Sequence, residues 1–314
     1  MATYKTANAI GEREDLSDVI TRIDPAETPI FSNAKKEVTK GVFHEWQVQE
    51  LTAAADNNHV NEGADYSYVN PTVTTRLGNY HQISVQAASV SGTLDAVDKA
   101  GRDKETAYVK VLKGLEQRRD IEKALVKNEA RSASDPRKAG KISSYMTNVN
   151  LISASTTPAG DGTDVSDKAG TNAALSLAKI DDAMKKAYSD GGQPDILVVS
   201  PANKVAFSGL SSGSVATNQL TMTAPKEAAI IGSVSLYLTD FGQLSVTIDR
   251  QMPNDTIFLM DSDYYCVGHL PNRLFSVSDI APTGDATKFS IVSEWTYIVK
   301  APKAHAMVTD LSTS

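Results

Sequence analysis

Apolar positions along the chain change period several times, and each change marks a predicted element. Leu16, Val19, Ile20 and Ile23 fall at helical spacing, and the pattern stops before Pro25. Only one residue per turn is apolar, so residues 1–40 read as a polar arm whose narrow stripe packs on something else. From Val42 the period becomes two: Val42, Trp46 and Val48 alternate with Glu45, Gln47 and Gln49, as in a half-buried strand. The polar stretch AAADNNHVNEGADYSYVNP follows, with turn formers Asn57, Asn58, Gly63, Asn70 and Pro71. Alternation returns at Ile83, Val85 and Ala87, against Gln82, Ser84 and Gln86. The pair reads as a long hairpin, which in isolation is marginal in water and needs a partner surface.

The thirty residues from Arg102 to Arg131 hold no proline, and Tyr108, Val111, Leu112, Leu115, Ile121 and Leu125 lie mainly on one face. They predict a helix of roughly 45 Å at about 1.5 Å per residue, far above the usual helix of about 11–12 residues. Residues 132–171 are rich in Ser, Thr, Gly and Asp and read as loop. Leu177, Ile180, Met184, Ala187 and Tyr188 restore helical periodicity, closed by Gly191 and Gly192. Asp195 to Val199 reads as a buried strand, and Ser200–Pro201 as the start of a second helix. After the loop SSGSVATNQLTMT come candidate strands at 234–239, 244–249, 256–260, 264–269, 287–299 and 304–308. The fold class is α+β.

Composition narrows the function. A formal charge of −7 argues against a surface built to grip phosphates. No apolar run approaches the eighteen or so residues of a membrane span, and MATYKTANAIGERED lacks the apolar core of a signal peptide. With Cys266 the only cysteine, neither an intrachain disulfide nor a cysteine-based zinc site can form. On its apolar strand beside Tyr264, Tyr265 and Val267, that thiol reads as core.

The stretch FHEWQVQELTAAADNNHVNEG offers the best case for chemistry, a metal-dependent hydrolase using His44, His59 and Glu62. No histidine pair has i, i+4 spacing, and adjacent strand residues His44 and Glu45 point to opposite faces. No phosphate loop, dinucleotide fingerprint, nucleophile elbow or EF-hand is present. The expectation is therefore no enzyme, no cofactor and no metal.

The order of parts and several long phrases carry a resemblance. "DLSDVITRIDPAETPIFS" (15–32), "HEWQVQEL" (44–51), "NEGADYSYVNPTVTTRLGNYHQISVQAASVSGT" (61–93) and "PTGDATKFSIVSEWTYIVKAPKAHAMVTDL" (282–311) resemble the major head proteins of tailed phages. Those proteins have the Hong Kong 97 (HK97)-type capsid fold. The resemblance implies an N-terminal arm (1–40), an extended loop (41–92) and a peripheral domain with its spine helix (93–144). It further implies an axial domain (145–255), with strands at 256–314 returning to the peripheral domain. By it, the extended loop would touch neighbours through Trp46, Val48, Tyr66, Tyr68, Arg76 and Tyr80, and the arm through Leu16, Ile20 and Ile23.

The implied function is a shell of hexamers and pentamers enclosing double-stranded DNA, which the wall contacts non-specifically. Implied partners are further copies of the chain, a scaffold protein, a portal and decoration proteins, with no membrane involved. Assembly would take place in the host cytoplasm. A related alternative is an encapsulin-like compartment. The founding member of the fold joins subunits by an isopeptide bond from a loop lysine; here no lysine lies between Lys40 and Lys99, so non-covalent assembly is expected. No long helical extension precedes the arm, which predicts a separate scaffold and little or no N-terminal cleavage.

Overall fold

The computed structural model describes residues 20–21, 26–66, 68–150, 157–165, 172–214 and 235–312. Within it, one long strand, β12 (Ala286–Val299), organises the first sheet. It pairs antiparallel with β4 (Gln82–Ser91), β10 (Tyr265–His269) and β11 (Ser276–Ile280), and β1 (Lys35–Val38) joins parallel to β10. Burial along β12 alternates at first and becomes continuous from Ser293 to Val299, where both faces are covered. The helix α3 (Glu105–Leu125) lies on this sheet, with Gln117 Nε2 donating to the Ser84 carbonyl at 2.8 Å.

The second sheet has the order β5 (Asn148–Asn150), β13 (Ala306–Val308), β9 (Ile257–Met260), β6 (Ile196–Val199), β8 (Gly242–Ile248), β7 (Leu236–Thr239). Helices α5 (Leu177–Ser189) and α6 (Pro201–Ser214) flank β6 in sequence, as the periodicity predicts. Ile180, Ala183, Met184 and Ala187 bury the apolar face of α5 against this sheet. Trp295, Tyr297, Tyr145, Phe258 and Met307 belong to one apolar core shared by both sheets.

Five expectations need correction. The long helix has 21 residues, about 31 Å at 1.5 Å each, not thirty. It begins where the Asp95 carboxylate accepts the Thr106 N–H at 3.1 Å. It ends at Leu125, with Val126 as the capping residue whose N–H returns to the Glu122 carbonyl at 3.3 Å. Second, the return strand of the hairpin is β3 (Thr75–Tyr80), which pairs with β2 (Phe43–Val48); the alternating 82–91 belongs to the first sheet.

Third, residues 29–39 do not project: α1 (Pro29–Asn33) buries Ile30 and Phe31 in the shared core, and β1 extends the first sheet. Fourth, the stretch read as loop from 132 onward contains α4 (Ile142–Tyr145) and β5, with Ile142, Tyr145 and Met146 fully buried. Fifth, the C-terminal strands do not return to one place. β10, β11 and β12 join the first sheet, whereas β9 and β13 lie side by side in the second. The predicted helix at 16–23 falls outside the described residues, apart from Ile20 and Thr21.

Candidate assembly surface

The hairpin β2–β3 is a two-stranded ribbon, and its base is bolted to the subunit by a few buried polar groups. Asn79 is wholly buried and uses its full hydrogen-bonding capacity. Its Nδ2 donates to the carbonyls of Gly140 (3.0 Å) and Tyr297 (2.8 Å), while its Oδ1 accepts the N–H of Gly140 (2.8 Å) and of Tyr80 (2.9 Å). The neighbouring Gly78 allows a close approach: a Cβ there would stand 2.6 Å from Phe43 Cζ. The Phe43 ring lies beside Tyr80 at 4.5 Å between centroids. Tyr145 Oη and Arg131 both donate to the Gly78 carbonyl, the former at 2.9 Å.

His81, also fully buried, forms the elbow between β3 and β4. Its Nδ1 lies 3.1 Å from the Val42 carbonyl, so Nδ1 carries the hydrogen, and Nε2 accepts the Thr39 hydroxyl at 2.7 Å. Burial pushes its pKa below the ordinary histidine value, in keeping with a neutral ring.

Beyond the ribbon, residues 49–74 form a loop that is solvent-exposed at every position whose burial is described. Its two arms are tied near the base, where Gln49 Nε2 donates to the Thr72 carbonyl (3.0 Å) and the hydroxyls of Thr52 and Thr72 lie 3.1 Å apart. Glu50 pairs with Lys303 at 2.7 Å. Among the exposed side chains are six large apolar ones: Leu51, Val60, Tyr66, Tyr68, Val69 and Val73, with Leu51 98% and Tyr68 95% exposed. So many bare apolar groups on one segment make it a candidate interaction surface. In sequence this stretch reads as polar, because turn formers outnumber the apolar residues and break any period.

The expected contact residues divide into two groups. Tyr66 and Tyr68 are bare, whereas Trp46 packs on its own subunit, its ring 5.9 Å from Tyr145 and against the shared core. Tyr80 likewise packs on Phe43, so both half-buried rings make contacts within their own subunit. Arg76 pairs with Glu45 at 3.1 Å on the ribbon's surface, a contact of small energetic weight. Val48 is half-buried. Ile20 is exposed, and Leu16 and Ile23 lie outside the described residues.

Truncating the anchor has a definite expected cost. Trp46→Ala is expected to lower subunit stability by about 2 kcal/mol, less than for a fully buried ring. Urea unfolding of the unassembled subunit measures this, and an unchanged midpoint would mean the ring contributes nothing to its own subunit.

The residues of the hydrolase alternative are not assembled. His44 stacks along Trp46 at 5.9 Å, Glu45 faces Arg76, and His59 and Glu62 stand exposed in the loop. Among the described residues no three His, Cys, Asp or Glu side chains gather into a group that could hold a metal ion, and no helix is long and apolar enough to cross a membrane. Cys266 is buried 3.4 Å from Glu37, and burial pushes its thiol up to about 12, so it stays protonated.

Comparison with known proteins places this architecture. The model of the SU10 major capsid protein family matches residues 2–312. The major capsid protein of Escherichia phage Phieco32 is 25% identical, with 90% of each chain covered. The capsid subunit of cyanophage A-1(L) has a similar fold, with a TM-score of 0.66 at 13% identity over 98% of both chains. The SrpI encapsulin of Synechococcus elongatus is similar in fold too (TM-score 0.55, 10% identity, 94% of both chains). Phage capsids and encapsulins thus share the fold, which is the HK97-type, and the family match separates them. The chain belongs to the SU10 major capsid protein family: it is a structural protein of the virion that forms the phage capsid.

Proposed function

We propose that this subunit builds its shell without covalent bonds, by laying the 49–74 loop of each copy on a neighbour within hexamers and pentamers of an icosahedral head. One observation carries this reading: Leu51, Val60, Tyr66, Tyr68, Val69 and Val73 are exposed on a loop held at its base by a rigid, fully hydrogen-bonded elbow. Covering such groups gains about 25 cal/mol per Å² of apolar area. A projecting element that reaches a different patch on the next copy makes a heterologous contact, which closes into rings. Tyr66 and Tyr68 are the proposed anchors, with Val48 and Arg76 at the edge of the contact. The arm residues Leu16, Ile20 and Ile23 would add a second contact.

In this reading the first sheet with α3 forms the peripheral domain, and the second sheet with α5 and α6 forms most of the axial domain. The shell encloses double-stranded DNA, which a chain of net charge −7 does not grip. A separate scaffold, a portal and decoration proteins complete the head in the host cytoplasm, and the subunit turns over no substrate. The absence of lysine between Lys40 and Lys99 supports non-covalent joining.

The test is to purify particles and dissolve them in hot SDS. The expected result is a single band at the 33.6 kDa monomer mass. A ladder of covalent oligomers would contradict the proposal.

A further inference from the structure

Two carboxyl groups are wholly buried where the two sheets and α1 converge. Glu122 projects from α3, and its oxygens accept the N–H groups of Ile30 and Phe31 on α1. Asp249 follows β8 in the second sheet, where its N–H donates to the Val199 carbonyl at 2.9 Å. One Asp249 oxygen accepts the Gln251 N–H at 2.8 Å, while Oδ2 finds no partner among the described residues. Met252, in the same turn, belongs to the apolar core that holds Ile30, Phe31 and Ile121. The turn at 249–252, α1 and α3 are thus packed through one core, with a buried acid on either side.

The charges that surround this junction are engaged elsewhere. Arg118, one turn back on α3, donates to the Ser32 hydroxyl at 2.7 Å. Lys36 on β1 donates to the carbonyls of Phe31 and Ala34. At the rim Arg250 lies 3.9 Å from Glu27. Tyr265 on β10 is buried too, which keeps its phenol protonated. A buried charge without a partner is costly, and two of like sign repel strongly where water is excluded. Burial raises the pKa of both acids, that of Glu122 to about 7 with the Asp249 charge adding to the rise.

We infer that Glu122 and Asp249 form a proton-operated latch between α3 and the second sheet. While a proton neutralises one of the two carboxyls, α1 and the 249–252 turn stay seated on α3. Releasing that proton to solvent as the pH rises through neutrality leaves two like charges in the junction. Residues 27–34 and 249–252 then loosen together, while both sheets stay folded.

The experiment is hydrogen–deuterium exchange of the full-length unassembled subunit from pH 5.5 to 8.5, corrected for the intrinsic pH dependence of amide exchange. Peptides covering 27–34 and 249–252 are expected to exchange at least tenfold faster at pH 8.5 than at pH 5.5. Peptides from β12 and α5 are expected to keep their protection. Corrected rates that do not change with pH, or that rise equally in every peptide, would overturn the latch.

Two variants test the pairing. Asp249→Asn removes one of the opposed charges, and Glu122→Gln removes the other. In each, the corrected rates of the two segments are expected to be level across the pH range. A wild-type rise that persists in Asp249→Asn would mean that Asp249 plays no part and would sink the proposal.

Discussion

Deleting residues 53–70 is expected to leave a folded subunit that no longer assembles. The two ends of the deletion already meet, because Thr52 and Thr72 share a hydrogen bond and Gln49 reaches the Thr72 carbonyl. The removed segment is solvent-exposed at every described position, and none of its described residues belongs to either apolar core. Its loss therefore changes the subunit's stability by about 0.5 kcal/mol or less, the usual range for surface changes. Assembly, by contrast, loses Tyr66 and Tyr68. Two interface anchors at about 2 kcal/mol each correspond to roughly a thousandfold weaker association. Circular dichroism and sedimentation of the same sample separate the two effects. Global unfolding of the variant would mean the loop belongs to the subunit's own core.

The second large effect concerns Glu122. This side chain is fully buried on α3, and its two oxygens accept the N–H groups of Ile30 (2.7 Å) and Phe31 (2.8 Å) at the start of α1. Those are first-turn donors with no partner inside the helix, so the carboxyl caps α1 and pins residues 29–34 to the long helix. Charges nearby are otherwise engaged: Arg118 donates to the Ser32 hydroxyl at 2.7 Å, and Lys36 to the carbonyls of Phe31 and Ala34. Glu122→Ala leaves two buried donors unsatisfied and is expected to cost about 3 kcal/mol.

The pH dependence has a defined sign. Desolvation by burial raises the Glu122 pKa to about 7; Asp249 adds to the rise, and the two backbone donors and Arg118 oppose it. The folded chain thus holds this proton to higher pH than the unfolded chain, which releases it near 4.5. The contribution to stability is full below about 4.5 and is lost as pH rises through about 7, a change of about 3 kcal/mol. His305 acts in the opposite sense. Burial lowers its pKa to about 4, so its contribution is present above 6.5 and is lost as pH falls toward 4. Comparing wild type with Glu122→Gln cancels the His305 part. The stability difference in favour of wild type is expected to shrink from pH 5 to pH 8 in denaturant titrations. A difference that is flat or that grows would contradict this assignment.

Periodicity located most of the elements because burial on one face imposes it. The alternation at Phe43–Val48, the stripe on α5 and the continuous apolar run of β6 all lie where the chain places them. The failures share a cause: tertiary contacts decided the outcome. Residues 75–80, TRLGNY, alternate poorly because Gly78 and Asn79 serve close approach and buried hydrogen bonds, and so periodicity points to the hairpin's return one strand too late. Ile142, Tyr145 and Met146 sit in a Ser- and Gly-rich setting, and only their packing partners, distant in sequence, reveal them as core. Of the proposed assembly surface, Tyr66 and Tyr68 are legible as aromatic residues in a polar loop, and both are exposed. Trp46 was not legible as an internal anchor, because half-burial of a hairpin ring depends on Tyr145 a hundred residues on.

Cryo-electron microscopy of the assembled particle tests the central claim most directly, by tracing residues 49–74 from each subunit. The account predicts density for every loop lying on a neighbouring copy, with Tyr66 and Tyr68 buried there. Loops folded back on their own subunit, or left in solvent within an intact shell, would contradict it.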